Sequence, residues 1–203
     1  MAQKIKAVIW DLVGVLLREE DPAPRKKLAE EIGLEVKVME DLVFSSQSAG
    51  LATEGAISEE AHWQWVARQI DIRSEALPEF QRRFWEGEGF DMQLADFIAH
   101  LKKDFKTSLL SNAWSGTRKL LVDNFGRLDI FNEVLISAEM KLAKPDPAIY
   151  QKMLKILEVL PEETIFLDDT LVNVAAASDL GIHAIQFHST RQAIAEVSAL
   201  VKC

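Results

Sequence analysis

From residue 106 onward the chain alternates short, β-rich apolar runs with helix-patterned segments, and few folds accept that rhythm. The runs Lys106–Leu110, Glu133–Ile136, Thr164–Leu167 and Ala184–Phe187, with an earlier one at Ile5–Trp10, read as five strands. Continuous runs of this kind suit a sheet covered on both faces. Helical patterns at Thr117–Phe125, Pro147–Leu157, Val172–Asp179 and Arg191–Val201 separate and follow the later strands. The alternation predicts an α/β fold built on a doubly wound, parallel, five-stranded sheet. Such sheets bind ligands beyond the carboxyl ends of their strands, and Asp11, Ser111-Asn112 and Asp168-Asp169 all stand at predicted strand ends.

Residues from about Leu17 to Gly89 break the rhythm. Leu28–Ile32, Val38–Phe44, Ser58–Ile70 and Leu77–Trp85 carry no strand pattern and read as an all-helical insert. Ser58 followed by Glu59 and Glu60 is a helix amino terminus, with a hydroxyl cap and an acidic first turn. Gly87-Glu88-Gly89 reads as a hinge, and Asp91 as the start of a returning helix through Leu101. The expected organisation is a core of residues 1–16 and 90–203 interrupted by a helical cap of residues 17–89. The charged run Arg18-Glu19-Glu20-Asp21 reads as a solvated flap close to Asp11.

Four groups of residues carry chemistry. The segment Ala7-Val8-Ile9-Trp10-Asp11-Leu12-Val13-Gly14 delivers one aspartate from an apolar strand onto a glycine turn, where its carboxylate can attack phosphorus and split hydrolysis into two steps. Asp168 and Asp169 face Asp11 if their strands are neighbours, and carboxylates converging there repel unless a cation lies between them. Hard oxygen ligands of this kind suit Mg²⁺. Taken alone, an Asp-Asp pair is equally the signature of an Asx turn or helix cap. Ser111 and Asn112 end a strand before a helix, where hydroxyl and amide groups either hold phosphate oxygens or form an ordinary cap. Lys144, set between Ala143 and Pro145 in a proline-stiffened entry to the next helix, is placed to neutralise phosphate charge; Lys141 reads as a surface lysine. Trp63, Trp65 and Trp85 read as core or interface residues, whereas Trp114 is placed to wall a pocket. His62, His100, His183 and His188 lack ligand spacing for zinc.

In order and strand context these segments resemble the four motifs of the haloacid dehalogenase superfamily. The match is to the branch holding the amino-terminal phosphatase domain of soluble epoxide hydrolases and bacterial sugar-phosphate phosphatases. The resemblance runs from Ile5 to about Phe187 and implies a Rossmann-like core with a helical cap. It implies Asp11 as nucleophile, Ser111 and Asn112 holding the phosphoryl group, and Lys144 stabilising it. It also implies Mg²⁺ on Asp11, the backbone carbonyl of Val13 and Asp169, with Asp168 either a further ligand or the partner orienting Lys144. Phosphatases of the superfamily usually carry a second aspartate where this chain has Val13. A backbone carbonyl survives that exchange, but the acid that protonates the leaving oxygen does not, and such assistance is typically worth about 10² to 10⁴ in rate. Three readings follow: a phosphatase for good leaving groups such as anomeric sugar phosphates or acyl phosphates, a phosphatase using Glu19, Glu20 or Asp21 as substitute acid, or a slow enzyme or phosphate-binding module. A dehalogenase also uses a lone aspartate, but it needs no metal, and converging carboxylates beside Asp11 argue against it.

Composition closes off other classes. The formal charge of −9, from 32 acidic against 23 basic residues, argues against a nucleic-acid surface and an anionic membrane. The expected partner is a small phosphorylated substrate, with the protein a monomer or homodimer. A single cysteine, Cys203, excludes an internal disulfide and, with no apolar leader before Asp11, points to the cytoplasm.

Overall fold

A computed structural model describes residues 4–202; Cys203 lies outside them. Seven strands are present among these residues: β1 (Ala7–Trp10), β2 (Leu17–Glu19), β3 (Glu88–Phe90), β4 (Lys106–Ser111), β5 (Glu133–Ile136), β6 (Thr164–Asp168) and β7 (His183–Gln186). Five of them form one sheet in the order β5-β4-β1-β6-β7, every pair parallel. β1 is central, so Asp11, one residue beyond it, emerges between the ends of β4 and β6.

Alternation along each strand sorts its side chains to two faces. Val8, Trp10, Leu109, Ile165 and Leu167 join one buried cluster, with Leu94, Ile98 and Leu101 of α6 (Met92–Leu101) and Ala193 and Val197 of α11 (Thr190–Val201). Ala7, Ile9, Leu110 and Phe166 join the other, with Ile149, Met153 and Leu157 of α9 (Pro147–Leu157) and Ala177 of α10 (Leu171–Asp179). Full coverage of both faces is what the continuous apolar runs predict, and the expected doubly wound α/β fold is the one observed. The remaining core helices are α7 (Thr117–Phe125) and the short α8 (Ser137–Met140).

Between β2 and β3 the chain is helical, as expected: α1 (Ala23–Glu31), α2 (Val36–Glu40) running into a π-helical turn at Asp41–Ser45, α3 (Gln47–Thr53), α4 (Glu59–Gln69) and α5 (Leu77–Phe84). Ser58 caps α4, its hydroxyl accepting from the Ala61 N–H at 3.1 Å. These helices have their own buried cluster, which includes Leu28, Met39, Trp63, Val66, Phe80 and Phe84 and admits Trp114 from the loop after β4. No helix among the described residues is long and apolar enough to cross a membrane.

Two expectations are corrected. The segment at 17–89 is not strand-free, because β2 and β3 pair antiparallel, Leu17 opposite Phe90 and Glu19 opposite Glu88. Three-residue strands are too short to show a period, and paired residues lie 69 to 73 positions apart in sequence. The residues read as a hinge are thus partly strand, and their glycines permit close approach: a Cβ on Gly87 would stand 1.9 Å from the Asp21 carbonyl oxygen. The run Arg18–Asp21 is solvent-exposed at Glu19, Glu20 and Asp21, as expected, but it is anchored rather than a free flap. Arg18 pairs with Asp91 at 2.6 Å, and Glu19 meets the buried Arg25 at 3.0 Å. Arg25 also binds Glu40 and Glu88 and lies over the Phe84 ring, tying the ribbon to the helices.

Candidate active site

The site begins with the turn after β1. Asp11 receives the Leu12 N–H on its own carboxylate at 2.7 Å, and the Leu12 carbonyl accepts the N–H groups of Leu16 and Leu17 at 2.8 Å each. The chain reverses at Gly14 with φ of +84°, a conformation that costs a side-chain-bearing residue about 1–2 kcal/mol. A second constraint acts there: a Cβ on Gly14 would stand 2.4 Å from a carboxylate oxygen of Asp169. The glycine therefore lets the Asp169 side chain rest on the nucleophile turn.

Lys144 is buried, 4% exposed, and its ammonium lies 2.8 Å from Asp11 and 2.6 Å from Asp168. Its backbone is clamped by Asn112, whose amide donates to the Lys144 carbonyl at 2.7 Å and accepts from the Lys144 N–H at 2.8 Å. The Lys144–Pro145 bond is cis, and Asp146 caps α9 by accepting the Ala148 N–H at 2.8 Å. Both amide groups of Asn112 are thus engaged in holding the lysine. Ser111 differs: its hydroxyl is buried and has no hydrogen-bond partner, at the end of the strand next to β1.

The two acidic neighbours divide. Asp168 is fully buried and accepts from the Thr170 N–H at 2.8 Å, from the Asn173 amide at 3.0 and 3.1 Å, and from Lys144. Asn173 is steadied in turn by the Tyr150 hydroxyl, which donates to its carbonyl at 3.0 Å. Asp169 is exposed, and its carboxylate meets the Thr170 hydroxyl at a weak 3.4 Å. Asn173 and Tyr150 escape a reading of the sequence as site residues. The available signal is the placement of Asn173 five residues after Asp168, on the first turn of the helix that follows.

Oxygens of Asp11, Asp168 and Asp169 all lie within 4.8 Å of one another. Three carboxylates against one ammonium leave two formal negative charges. Burial, then repulsion from Asp168, outweighs Lys144 and pushes Asp11 up to about 7; burial and Asp168 also raise Asp169. Strain of this kind is what a divalent cation relieves, and the all-oxygen donor set fits Mg²⁺. Asp11 and Asp169 have open coordination positions, whereas Asp168 has its acceptors filled. Val13, 47% exposed, presents its isopropyl group to an adjoining cavity and carries no proton to give. The acids considered as its replacement are engaged elsewhere in part: Glu19 with Arg25, and Asp21 with the Ala23 N–H at 2.9 Å.

Comparison with known proteins agrees with this geometry. The chain is 27% identical to bifunctional epoxide hydrolase 2 of Sus scrofa over 95% of its own length but only 38% of that protein's. It is 22% identical to the sesquiterpene phosphatase astK of Aspergillus oryzae over the whole of both chains. The solved structure of a predicted HAD-like family hydrolase from Porphyromonas gingivalis superposes with a TM-score of 0.81 at 26% identity, covering 99% of this chain and 100% of that one. A HAD family enzyme from Bacteroides thetaiotaomicron, in complex with magnesium and inorganic phosphate, superposes with a TM-score of 0.78 at 22% identity over 91% and 94% of the two chains. The family model for haloacid dehalogenase-like hydrolases matches residues 5–181, and the chain belongs to that family.

Proposed function

We propose that the protein is a Mg²⁺-dependent phosphatase that hydrolyses a small phosphorylated metabolite through a phosphoryl group carried on Asp11. The observation that carries this reading is the buried Lys144 held at 2.8 Å from Asp11 by Asp168 and by the Asn112 clamp, beside a carboxylate cluster short of positive charge. The phosphatases among its relatives and the magnesium and phosphate bound to a structural neighbour support it.

In this mechanism Asp11 Oδ attacks phosphorus, the ester P–O bond breaks, and its electron pair leaves on the substrate oxygen. Water then attacks the same phosphorus, the bond to Asp11 breaks, and phosphate and free carboxylate result. Lys144 neutralises the charge that builds on the phosphoryl oxygens, acting in a dry site where such help counts most. The Ser111 hydroxyl, otherwise unpartnered, donates to a phosphoryl oxygen. Asn112 and Asp168 position Lys144. Mg²⁺, when bound, supplies electrostatic stabilisation of the transferring group; Asp11, Asp169 and the Val13 carbonyl would hold it. Residues 1–16 and 90–203 form the catalytic core, and residues 17–89 a cap that excludes water. We place the enzyme in the cytoplasm, with no nucleic-acid or membrane partner.

Phosphate release from p-nitrophenyl phosphate, with and without Mg²⁺, tests the reading in wild type and Asp11→Asn. Release that requires the metal and disappears in Asp11→Asn is expected. Val13 favours one competing reading, a phosphate-binding module, and metal-dependent phosphate binding without release from any ester would establish it instead.

A further inference from the structure

Resting on the phosphatase reading, we propose that the substrate is an aryl phosphate, its phosphate carried on a single apolar ring. Beside Asp11 lies a cavity of about 160 Å³ whose walls include Leu12, Val13, Phe44, Trp85, Trp114 and Leu120. It shares Asn112 with the Lys144 clamp, and its lining includes Leu12 and Val13, the two residues that follow Asp11, so it adjoins the place where the group esterified to a phosphate at Asp11 would lie. An apolar cavity of about 150 Å³ accommodates benzene. Val13 and Phe44 are 47% and 42% exposed although apolar, and both face this space. Phe44, Trp85 and Trp114 stand with ring centroids 5.7 to 6.3 Å apart, a rigid aromatic wall suited to an aromatic guest.

The polar inventory of the cavity is short and largely engaged. Glu59 is its charged lining residue, and its carboxylate accepts the Gly116 N–H at 2.8 Å and the Trp63 indole N–H at 3.4 Å. The Asn112 amide is held by Lys144. The hydroxyls of Thr53 and Thr117 remain. A sugar would bring several hydroxyls to this surface and leave most without partners, which costs affinity. The missing acid at position 13 points the same way. When Asp11 takes the phosphoryl group from an aryl ester, the electron pair leaves on a phenolate, whose conjugate acid has a pKa of about 10, and the oxygen takes its proton from solvent. An alkyl ester would expel an oxygen nearly as basic as hydroxide and far more basic than phenolate, with no acid at position 13 to protonate it.

The test compares kcat/KM in Mg²⁺ for phenyl phosphate, n-hexyl phosphate, glucose 6-phosphate and acetyl phosphate, with calorimetric binding of phenylphosphonate and methylphosphonate. Phenyl phosphate is expected to exceed the hexyl and glucose esters by at least about 100-fold. Phenylphosphonate is expected to bind about 10- to 100-fold more tightly than methylphosphonate. Trp85→Ala should lower the ratio of phenyl to acetyl phosphate turnover, and Leu120→Ala, outside the aromatic cluster, provides the same readout if Trp85→Ala fails to fold. Turnover of acetyl phosphate with no advantage for phenyl phosphate would overturn the aryl assignment and leave the phosphatase reading intact. No turnover of any of the four phosphates overturns both.

Discussion

Replacing Gly14 by alanine separates the geometry of the site from the stability of the fold. Two costs meet at this residue. The backbone has φ of +84°, which charges an alanine about 1–2 kcal/mol. Its Cβ would also stand 2.4 Å from Asp169 Oδ2 and 2.5 Å from Cγ, where ordinary contact begins at 3.4 Å. The Asp169 carboxylate must therefore move by about 1 Å, and a misplacement of that size in an active site can cost about 10² in rate. Because Asp169 is exposed, it can swing away without unfolding anything, so the second cost should fall on metal binding rather than on stability. Gly33→Ala is the matched control: φ there is +73° and nothing lies within 4 Å of the added Cβ. Urea unfolding should show both variants losing about 1–2 kcal/mol. Phosphate release as a function of Mg²⁺ should show a loss of about 100-fold at low metal in Gly14→Ala and none in Gly33→Ala. A Gly14→Ala protein with the wild-type metal response would refute the idea that Asp169 acts from its place on the nucleophile turn.

Three further outcomes are expected. Val13→Asp should raise kcat/KM for alkyl phosphates by about 10² or more while changing aryl phosphates little, measured as phosphate release across leaving groups; a uniform change would deny position 13 a role in protonation. Arg25→Met should lower stability by about 2 kcal/mol in thermal unfolding, below the full penalty for breaking a buried pair because Glu19, Glu40 and Glu88 are partly solvated, and a neutral effect would show that its three carboxylates need no cation. His62 is buried with Nε2 3.0 Å from the Val43 carbonyl and Nδ1 3.0 Å from the Ser48 hydroxyl, and burial lowers its pKa below the ordinary 6.5. The neutral ring is favoured in the fold, so its contribution is complete above pH 6.5 and is lost as pH falls from there through the lowered value. Urea midpoints at pH 7.5 and 5.5 should differ less in His62→Gln than in wild type; equal differences would assign the acid sensitivity elsewhere.

The α/β alternation, the central strand ending at Asp11 and the helical character of residues 17–89 are all legible in the sequence, because apolar runs and caps are local signals. β5, α7 and α9 fall on their expected bounds, and β7 is displaced by one residue, within the fraying of element ends. The candidate residues Asp11, Ser111, Asn112, Lys144, Asp168 and Asp169 were equally visible, and so was the anomaly at Val13. What each neighbour does was not, since it depends on contacts between segments far apart in sequence. The division between Asp168 and Asp169 comes from Lys144 and Asn173 filling the acceptors of one and leaving the other open over Gly14. Asn112 became a clamp because β4 ends beside the loop that carries Lys144. The β2–β3 ribbon joins residues 69 to 73 positions apart, and the aromatic cavity draws Val13, Phe44, Trp85 and Trp114 from four separate stretches of chain. Residue types and their order therefore determined the family of chemistry, while packing decided which side chains remained free to perform it.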